Sequence, residues 1–442
     1  MRSILLLCLC ILAHAAPALA QVPLGARPYR GLFGSARGPV ASQTLDFTAS
    51  LTEAYDDDVL ADTGTTFERV GGARRAGFFT ALSPGLSYQR LGRTAQFNAN
   101  VSSSFAHYED LGGLRSISHS GAIGAAAQFG NTRLMVNQTI AYSPSYLYGM
   151  FPSVEEPAPG LAVPVGPDYD VGDSKSFSYG TVVNVTRPVT RRGNLSAFAN
   201  YSLADFQGSL EVRRPDVRSF GAGATFSRNM TRNTSLRFGY TYRGGDVGGD
   251  GIASKTVAHG FDVGTSFSRP LSATRRATFG FSVGSSAVSA VEEATVIGQE
   301  RRYRAHGSAS FGYQFNARWQ ARANYQRDLQ YVPDFADPVF TDGVTVAVEA
   351  LLSQRMDLMG SVSYSNGSSA LASAQDAATV DTYTGDVQLR YALTRTWALY
   401  ASYLYYFYEM TARTPSSATV PPGLERSGVR VGLTLWLPLL RR

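Results

Sequence analysis

Few residues in this sequence are of the types that carry covalent or acid–base chemistry. Of the five histidines, those after the first twenty residues are His107, His119, His259 and His306. His306 and Ser308 are two positions apart, so on a β-strand both lie on one face and the imidazole can activate the hydroxyl. The same spacing is expected if the two residues are simply polar side chains that face a water-filled interior. Since no H-E-x-x-H or Walker motif is present, we expect no enzyme activity and no cofactor.

A run of carboxylates offers a second kind of chemistry. Asp56, Asp57 and Asp58 are consecutive, and Asp62 follows shortly after. Clustered carboxylate oxygens are the ligands that hard divalent cations prefer, so the run predicts a loop site for a divalent cation, alone or bridged to lipopolysaccharide phosphates. A solvated acidic loop explains the same composition, because a calcium site needs about six or more oxygens in fixed geometry.

The elements that must position these residues are β-strands. From Arg302 to Gln314 apolar residues alternate with Arg, His and Ser, and Trp319 to Gln326 repeats the pattern after a four-residue connection. Period-2 alternation is typical of a strand with one apolar and one polar face, and the short connection predicts a hairpin. Eighteen such segments follow one another, at about residues 44–56, 76–90, 94–107, 117–129, 132–146, 174–187, 194–207, 216–228, 234–243, 257–269, 277–289, 301–314, 319–331, 340–352, 356–366, 379–391, 397–410 and 426–438.

The connections between these segments alternate in length. Residues 91–93 and 130–131 form short turns, whereas residues 57–75, 147–173 and 411–425 form long segments rich in Gly, Pro, Asp and Ser. Short turns at one rim and long loops at the other are typical of transmembrane barrels. We therefore predict an all-β fold, an antiparallel up-and-down β-barrel of about 18 strands with short periplasmic turns and long extracellular loops. The first strand must pair with the last, because a sheet in hydrocarbon cannot leave an open edge.

The two ends of the chain predict its domain organisation. Residues 1–20 have the order of a secretory signal peptide, with Arg2, a short apolar run and the small-residue cleavage site Ala18-Leu19-Ala20. Both cysteines lie in this segment. Residues 21–43 are rich in Gly, Pro and Arg without alternation and predict a flexible periplasmic extension. Residues 44–442 then form the barrel, and the predicted location is the bacterial outer membrane.

Composition and charge narrow the partners. The chain is 44% hydrophobic, yet its mean hydropathy is only −0.10, as expected when a barrel places apolar residues at every second position. The net charge of +6 is spread along the chain instead of forming a basic stripe, which excludes a nucleic-acid partner. The partners expected are outer-membrane lipid, lipopolysaccharide and the barrel-assembly machinery. A homo-oligomer is compatible with the sequence.

The alternation also assigns charged residues to the barrel interior. Rings of fixed positive charge attract anions in a narrow aqueous pore, whereas arginines paired with acids across the lumen only stiffen it. Both interpretations stay open, and residues 147–173 are long enough to fold inward as a constriction. The basic residues expected to line the pore are Arg133, Arg237, Arg243, Arg302, Arg304, Arg322, Arg390 and Arg430. The acidic ones are Asp262, Glu349 and Asp386.

One short motif resembles a known family. The sequence Leu-Thr-Glu-Ala-Tyr-Asp-Asp-Asp-Val at residues 51–59 resembles the start of the β-barrel porins of the second type, whose first strand runs into a Tyr-Asp-Asp-Asn-like turn. Asp58 stands where Asn is commoner. The resemblance implies an outer-membrane barrel associated with exopolysaccharide or envelope systems. The expected function is a porin-like channel for passive passage of small anionic solutes or saccharides. The alternative is a non-conducting accessory barrel of an envelope or exopolysaccharide secretion system.

Overall fold

The computed structural model describes twelve ranges of the chain: residues 42–58, 76–109, 114–143, 175–207, 216–248, 254–272, 275–291, 301–316, 318–331, 338–371, 379–411 and 423–442. The predicted signal peptide, nearly all of the predicted extension, Asp62 and the loop 147–173 lie outside these ranges. No helix long and apolar enough to cross a bilayer occurs in the part of the chain that the structure describes.

Within these ranges the chain forms eighteen strands. They are β1 (Gln43–Asp56), β2 (Gly77–Leu91), β3 (Ala95–Tyr108), β4 (Leu114–Phe129), β5 (Thr132–Ser143), β6 (Lys175–Thr190), β7 (Gly193–Gln207), β8 (Val217–Asn229), β9 (Thr234–Val247), β10 (Ser254–Pro270), β11 (Arg276–Val291), β12 (Arg302–Gln314), β13 (Trp319–Gln330), β14 (Val339–Leu351), β15 (Met356–Ser369), β16 (Thr379–Ala392), β17 (Trp397–Thr411) and β18 (Gly423–Arg441). Each predicted strand has its counterpart, with ends that differ by a few residues.

The sheet is a closed up-and-down barrel. Every strand pairs antiparallel with the next strand of the chain, and β1 pairs with both β2 and β18. The β1–β18 register runs from Thr44 opposite Arg441 to Asp56 opposite Gly428. The predicted fold class, strand number and closure are therefore confirmed. Closure gives every strand a neighbouring strand on both sides, which is what hydrocarbon requires of any spanning sheet.

Strand alternation gives the barrel two different walls. Exposed apolar side chains such as Val101, Phe261, Val283 and Val362 share one face, the outer wall. Serine, threonine, asparagine and glycine dominate the opposite, inner face, and hydroxyl pairs such as Ser102–Ser120 and Ser202–Ser219 join neighbouring strands across it. An outer wall this apolar would be costly in water, since each buried Å² of apolar surface is worth about 25 cal/mol. It suits contact with lipid chains.

The two ends of the barrel differ. The connections after the even-numbered strands are short. They are between two residues long, as at residues 130–131, and five residues long, as at residues 271–275, whereas residues 144–174 separate β5 from β6. In the two-residue turn after β4, Gly130 has φ 56°, a left-handed conformation that glycine adopts without steric cost. We refer to the short-turn end and the long-loop end of the barrel below.

Two side-chain contacts fasten β1 to β18 at the long-loop end. The Arg426 guanidinium donates through Nε to Oδ2 of Asp56 at 2.7 Å, and Nη2 lies 2.6 Å from the same oxygen. Both side chains are nearly inaccessible, at 3% and 1% exposure. Beside this pair, the Asp57 carboxylate accepts hydrogen bonds from the backbone N–H and the hydroxyl of Ser427, at 2.7 and 2.8 Å. A buried ion pair therefore lies directly on the joint that closes the barrel.

The tips of β13, β14 and β15 leave the cylinder at the long-loop end and lean into the interior. Leu329, Phe340 and Ala370 from these tips form one buried cluster with Ala258 and Val288 of the inner wall of β10 and β11. Tyr331 packs against this cluster, and its hydroxyl contacts that of Thr256 on β10 at 3.2 Å. These contacts skip several strands of the sheet, so the tips cover part of the inner wall.

A charged pocket on the inner wall as the candidate functional site

The infolded tip of β13 and the inner wall of β7 to β12 enclose a pocket of about 260 Å³. The pocket is open to the interior of the barrel. It is lined by three arginines, two carboxylates, a histidine and several hydroxyls, with a few apolar side chains. The residues that carry its chemistry are Arg237, Arg243, Asp262, Asp328, His306, Ser282, Ser286, Ser308 and Gln326, and its apolar lining includes Phe198, Ala258 and Leu329.

Each arginine of the pocket faces a carboxylate. Nη2 of Arg237 on β9 lies 3.4 Å from Oδ2 of Asp262 on β10. Nη2 of Arg243 on β9 lies 2.6 Å from Oδ2 of Asp328 on β13, and its Nη1 donates to the Leu329 carbonyl at 3.0 Å. Ion pairs as exposed as these add about 1 kcal/mol or less to stability. Arg243 instead has a positional effect, because it holds the end of β13 against β9.

His306 and Ser308 bond to β11 and not to one another. The His306 ring nitrogen Nδ1 lies 2.8 Å from the hydroxyl of Ser286, and the Ser308 hydroxyl lies 2.8 Å from that of Ser282. The hypothesised activation of Ser308 by His306 is therefore not the arrangement adopted. Both residues instead contribute to a band of hydroxyl and imidazole groups along one side of the pocket, which can donate to and accept from a polar solute.

Glycines on the inner wall make room for these side chains. A Cβ atom on Gly284 would lie 2.5 Å from Nε2 of His306, and one on Gly239 would lie 2.1 Å from Oδ1 of Asp262. Both distances are far below ordinary contact, so a larger residue at either position would displace the imidazole or the carboxylate. Each glycine lies directly opposite its partner on the adjacent strand, and alternation alone does not indicate which residues face each other in this way.

All of the charged residues predicted for the pore lie on strands whose register turns them toward the interior. Two of the arginines have carboxylate partners beyond the pocket: Nη2 of Arg322 lies 3.2 Å from Glu349, and Arg390 binds both oxygens of Asp357 at 2.7 and 2.8 Å. Asp386 accepts a hydrogen bond from Ser361, and Arg304 donates to the Ala370 carbonyl at 3.4 Å. The remaining inward positions are those of Arg133, Arg302 and Arg430.

The sequence analysis singled out neither partner of the Arg327–Asp342 pair, and it missed Asp328, Asp357 and Arg426. Asp328 and Asp357 occupy the inner-face positions of β13 and β15, so counting the alternation to the strand ends finds them. Arg327 is different: it belongs to the outer face of β13, where its Nη1 lies 2.6 Å from Oδ2 of Asp342 on β14. Nothing in a strand pattern indicates that an outer-face arginine also lines an interior pocket.

The acidic run at the end of β1 is engaged in contacts within the protein. Asp56 binds Arg426 and Asp57 binds Ser427, as described above, and the Asp58 backbone N–H donates to Oδ1 of Asp56 at 3.0 Å. In the described ranges, no group of three or more His, Cys, Asp or Glu side chains is arranged to hold a metal ion. The cation site that includes Asp62 stays a prediction.

Comparisons with known proteins give architectural likeness alone. No protein-family model matches the sequence, and no significant relative is found among curated proteins. The structure of OccK2 from Pseudomonas aeruginosa in complex with glucuronate aligns with 90% of this chain and 98% of its own, at 11% identity and a TM-score of 0.42. The ferric-catecholate import receptor Fiu from E. coli K12 aligns with 90% of this chain and 82% of its own, at 9% identity and a TM-score of 0.44.

OccAB2 from Acinetobacter baumannii gives similar values, with coverage of 90% and 98%, 10% identity and a TM-score of 0.42. The barrel described above rests on the strand pairing of this chain itself. The resemblance to the β-barrel porins of the second type stays a prediction.

Proposed function

We propose that the protein is an outer-membrane channel through which small polar solutes, anions and saccharides among them, pass by diffusion. One observation carries the proposal: a closed barrel of 18 strands combines an apolar outer wall with an inner wall of short polar side chains. Barrels of 16–18 strands are wide enough to leave an aqueous lumen, whereas barrels of about eight strands are filled by their own side chains. The proposed location places the long-loop end outside the cell.

The inner wall supports passage of water-soluble molecules. Hydroxyl pairs such as Ser83–Ser104, Thr186–Ser196 and Ser235–Ser266 bond to each other at 2.6–3.1 Å, so their polar atoms are satisfied without long side chains crossing the interior. Short side chains leave the cross-section to solvent. Polar solutes then meet a lining that can replace part of their hydration.

The charges of the inner wall favour a weak preference for anions. Arginines outnumber carboxylates on the inner faces of the described strands, but several of them are neutralised by partners, as in Arg237–Asp262 and Arg390–Asp357. Paired charges produce a weaker field than a ring of unpaired arginines does. The pocket offers both donors and acceptors, which suits carboxylated or hydroxylated solutes of a size that fits about 260 Å³.

Single-channel recording of the refolded protein in planar bilayers tests this function. We expect stepwise openings, and in a salt gradient a reversal potential of the sign for modest anion selectivity. Replacement of the inner-face residues Arg302, Arg304 and Arg322 by alanine is expected to reduce the selectivity. The matched control is Arg269→Ala, which removes an arginine from the outer face of β10. Silent bilayers from protein shown to be folded and inserted would refute the channel.

A second candidate is the non-conducting accessory barrel. The observation in its favour is the burial of large inner-face side chains at the long-loop end, where Phe79 and Tyr108 stack on each other at 1% exposure each. Tyr406 and Tyr408 on β17 are buried to a similar extent. A mouth filled in this way lowers conductance, so the recording that tests the channel also separates the two candidates. Association with lipopolysaccharide, the assembly machinery or an exopolysaccharide system remains a proposal of the same kind.

A further inference from the structure

Strands β12 and β13 separate before they reach the long-loop end. Their pairing runs from Gln314 opposite Gln320 to Gly307 opposite Arg327 and stops there. On its other side β12 continues to pair with β11 up to Arg302. Among the described residues, those of β12 from 302 to 306 therefore form a β-ladder with β11 but not with β13. We refer to this stretch as the β12–β13 seam.

The seam exists because β13 follows other partners. Beyond Arg327, its residues Asp328 to Gln330 stay paired with β14, and both strands lean inward together. The Arg243–Asp328 ion pair and the packing of Leu329 on Ala258 hold the tip inside the barrel. On the β12 side, a Cβ atom on Gly307 would lie 2.6 Å from the Ser282 carbonyl oxygen of β11. The missing Cβ lets β12 approach β11 closely at the very residue where its pairing with β13 ends.

One side chain bridges the seam. Arg327 on β13 donates through Nε to the carbonyl oxygen of Ala305 on β12 at 2.9 Å. Its Nη1 lies 2.6 Å from Oδ2 of Asp342, whose other oxygen accepts from the Tyr325 hydroxyl at 2.8 Å. A guanidinium thus takes the place of a backbone donor that a paired β13 would supply. Arg327 and Asp342 are about one-third exposed, so water and lipid head groups reach this bridge.

The pocket borders both sides of the seam. His306, Gly307 and Ser308 line it from β12, and Gln326, Arg327 and Asp328 line it from β13. Its lining is amphipathic, since Ala258, Leu329 and Phe198 lie among the charged groups. On the outer wall next to the seam, Tyr303 exposes 72% of its surface toward the surroundings of the barrel. The pocket and the lipid-facing side are therefore separated at the seam by the Arg327 bridge and not by a continuous β-ladder.

We propose that the seam is a lateral passage between the lumen pocket and the outer leaflet, used by single-chain amphiphiles with an anionic head group. The head group binds among Arg237, Arg243 and the pocket hydroxyls, and the apolar tail leaves between β12 and β13 when the bridge opens. No bond is made or broken in this passage. The inference rests on the proposed outer-membrane location and adds a substrate class to the proposed channel.

Photolabelling tests the passage without any need for conduction. The probe is a diazirine-bearing C12 fatty acid, supplied within the lipid of nanodiscs that contain the full refolded chain, and labelled residues are located by mass spectrometry. We expect labels on pocket residues of β12 and β13 as well as on the outer wall. Arg327→Ala is expected to increase pocket labelling up to roughly tenfold, because a charge-assisted hydrogen bond contributes about that factor.

Two disulfides provide the decisive contrast, since the chain has no cysteine after residue 10. Ala305→Cys with Leu329→Cys is placed across the seam and compared in its oxidised and reduced forms, which share the loss of the Leu329 side chain. Phe311→Cys with Ala323→Cys joins the strands where they already pair. The first is expected to abolish pocket labelling and the second to leave it unchanged. Pocket labelling that persists in the first variant, or that does not respond to Arg327→Ala, overturns the passage. Silent channels with seam-dependent labelling would remove the channel function and keep the passage.

Discussion

The ion pair between Arg426 and Asp56 allows a quantitative prediction about barrel closure. We consider the substitution Arg426→Met, which keeps most of the side-chain volume and removes the charge. In the native protein the guanidinium and the carboxylate are at 3% and 1% exposure and lie 2.6 Å apart. The variant leaves the Asp56 carboxylate buried without its cation.

Breaking a buried pair by removing one partner costs about 3–5 kcal/mol, most of it the penalty of the charge left behind. Since about 1.4 kcal/mol corresponds to a factor of ten, the equilibrium between folded and unfolded barrel is expected to shift by roughly two to three and a half decades. The double variant Arg426→Met with Asp56→Asn removes both charges. It is expected to recover most of the loss, because replacement of a whole buried pair is often close to neutral.

Urea unfolding in lipid vesicles, followed by tryptophan fluorescence and by the mobility of folded barrel on gels, measures these free energies. The control is Arg322→Met, which breaks the Arg322–Glu349 pair at 45% and 40% exposure and should cost about 1 kcal/mol or less. Equal losses for Arg426→Met and Arg322→Met would show that burial does not decide the contribution of these pairs. A double variant no more stable than Arg426→Met would show that the stranded carboxylate is not the cause.

Three further predictions concern the wall, the pocket and its tip. Val362→Arg on the outer wall is expected to destabilise the barrel in vesicles by up to about 2–4 kcal/mol. Ser361→Arg on the inner face is expected to destabilise it much less. Equal losses of stability for the two variants would contradict the faces assigned to these residues. Arg243→Met frees the tip of β13 and should raise single-channel conductance, whereas an unchanged conductance would show that the tip does not narrow the lumen. Burial raises the pKa of the Tyr331 phenol above its ordinary value of 10.0. The stability that the neutral, buried phenol contributes to the tip is therefore fully present below about pH 10 and is lost as the pH rises through the higher pKa of the folded state. We expect the conductance of the native channel to change in this alkaline range and that of Tyr331→Phe to stay constant.

The barrel could be predicted from the sequence because its surroundings act on every second residue. A wall with lipid on one side and polar groups on the other produces alternation in each strand, so even weakly alternating segments add up over eighteen repeats. The closure of β1 on β18 then follows from the hydrocarbon and needs no sequence motif.

The pocket could not be predicted in the same way, because it depends on which inner-face residues meet. Arg243 and Asp328 are 85 residues apart in the chain, and alternation states the face of each without stating its partner. The departure of β13 from β12 is even less visible, since Arg327 and Leu329 continue the regular pattern of their strand. Its causes are tertiary, namely the cluster around Phe340 and the ion pair of Arg243.

The joint between β1 and β18 also sets the order of events during folding. Its ion pair joins residues 370 positions apart, so it cannot form before almost the entire chain is present. Until then two strands, β1 and the most recently formed one, each have a row of unpaired backbone groups along one side. Contacts between residues so far apart in the sequence form slowly. A chain that stops before residue 423 lacks β18 and keeps both edges open. Completion of the last strand is thus the step that converts an aggregation-prone open sheet into a closed barrel.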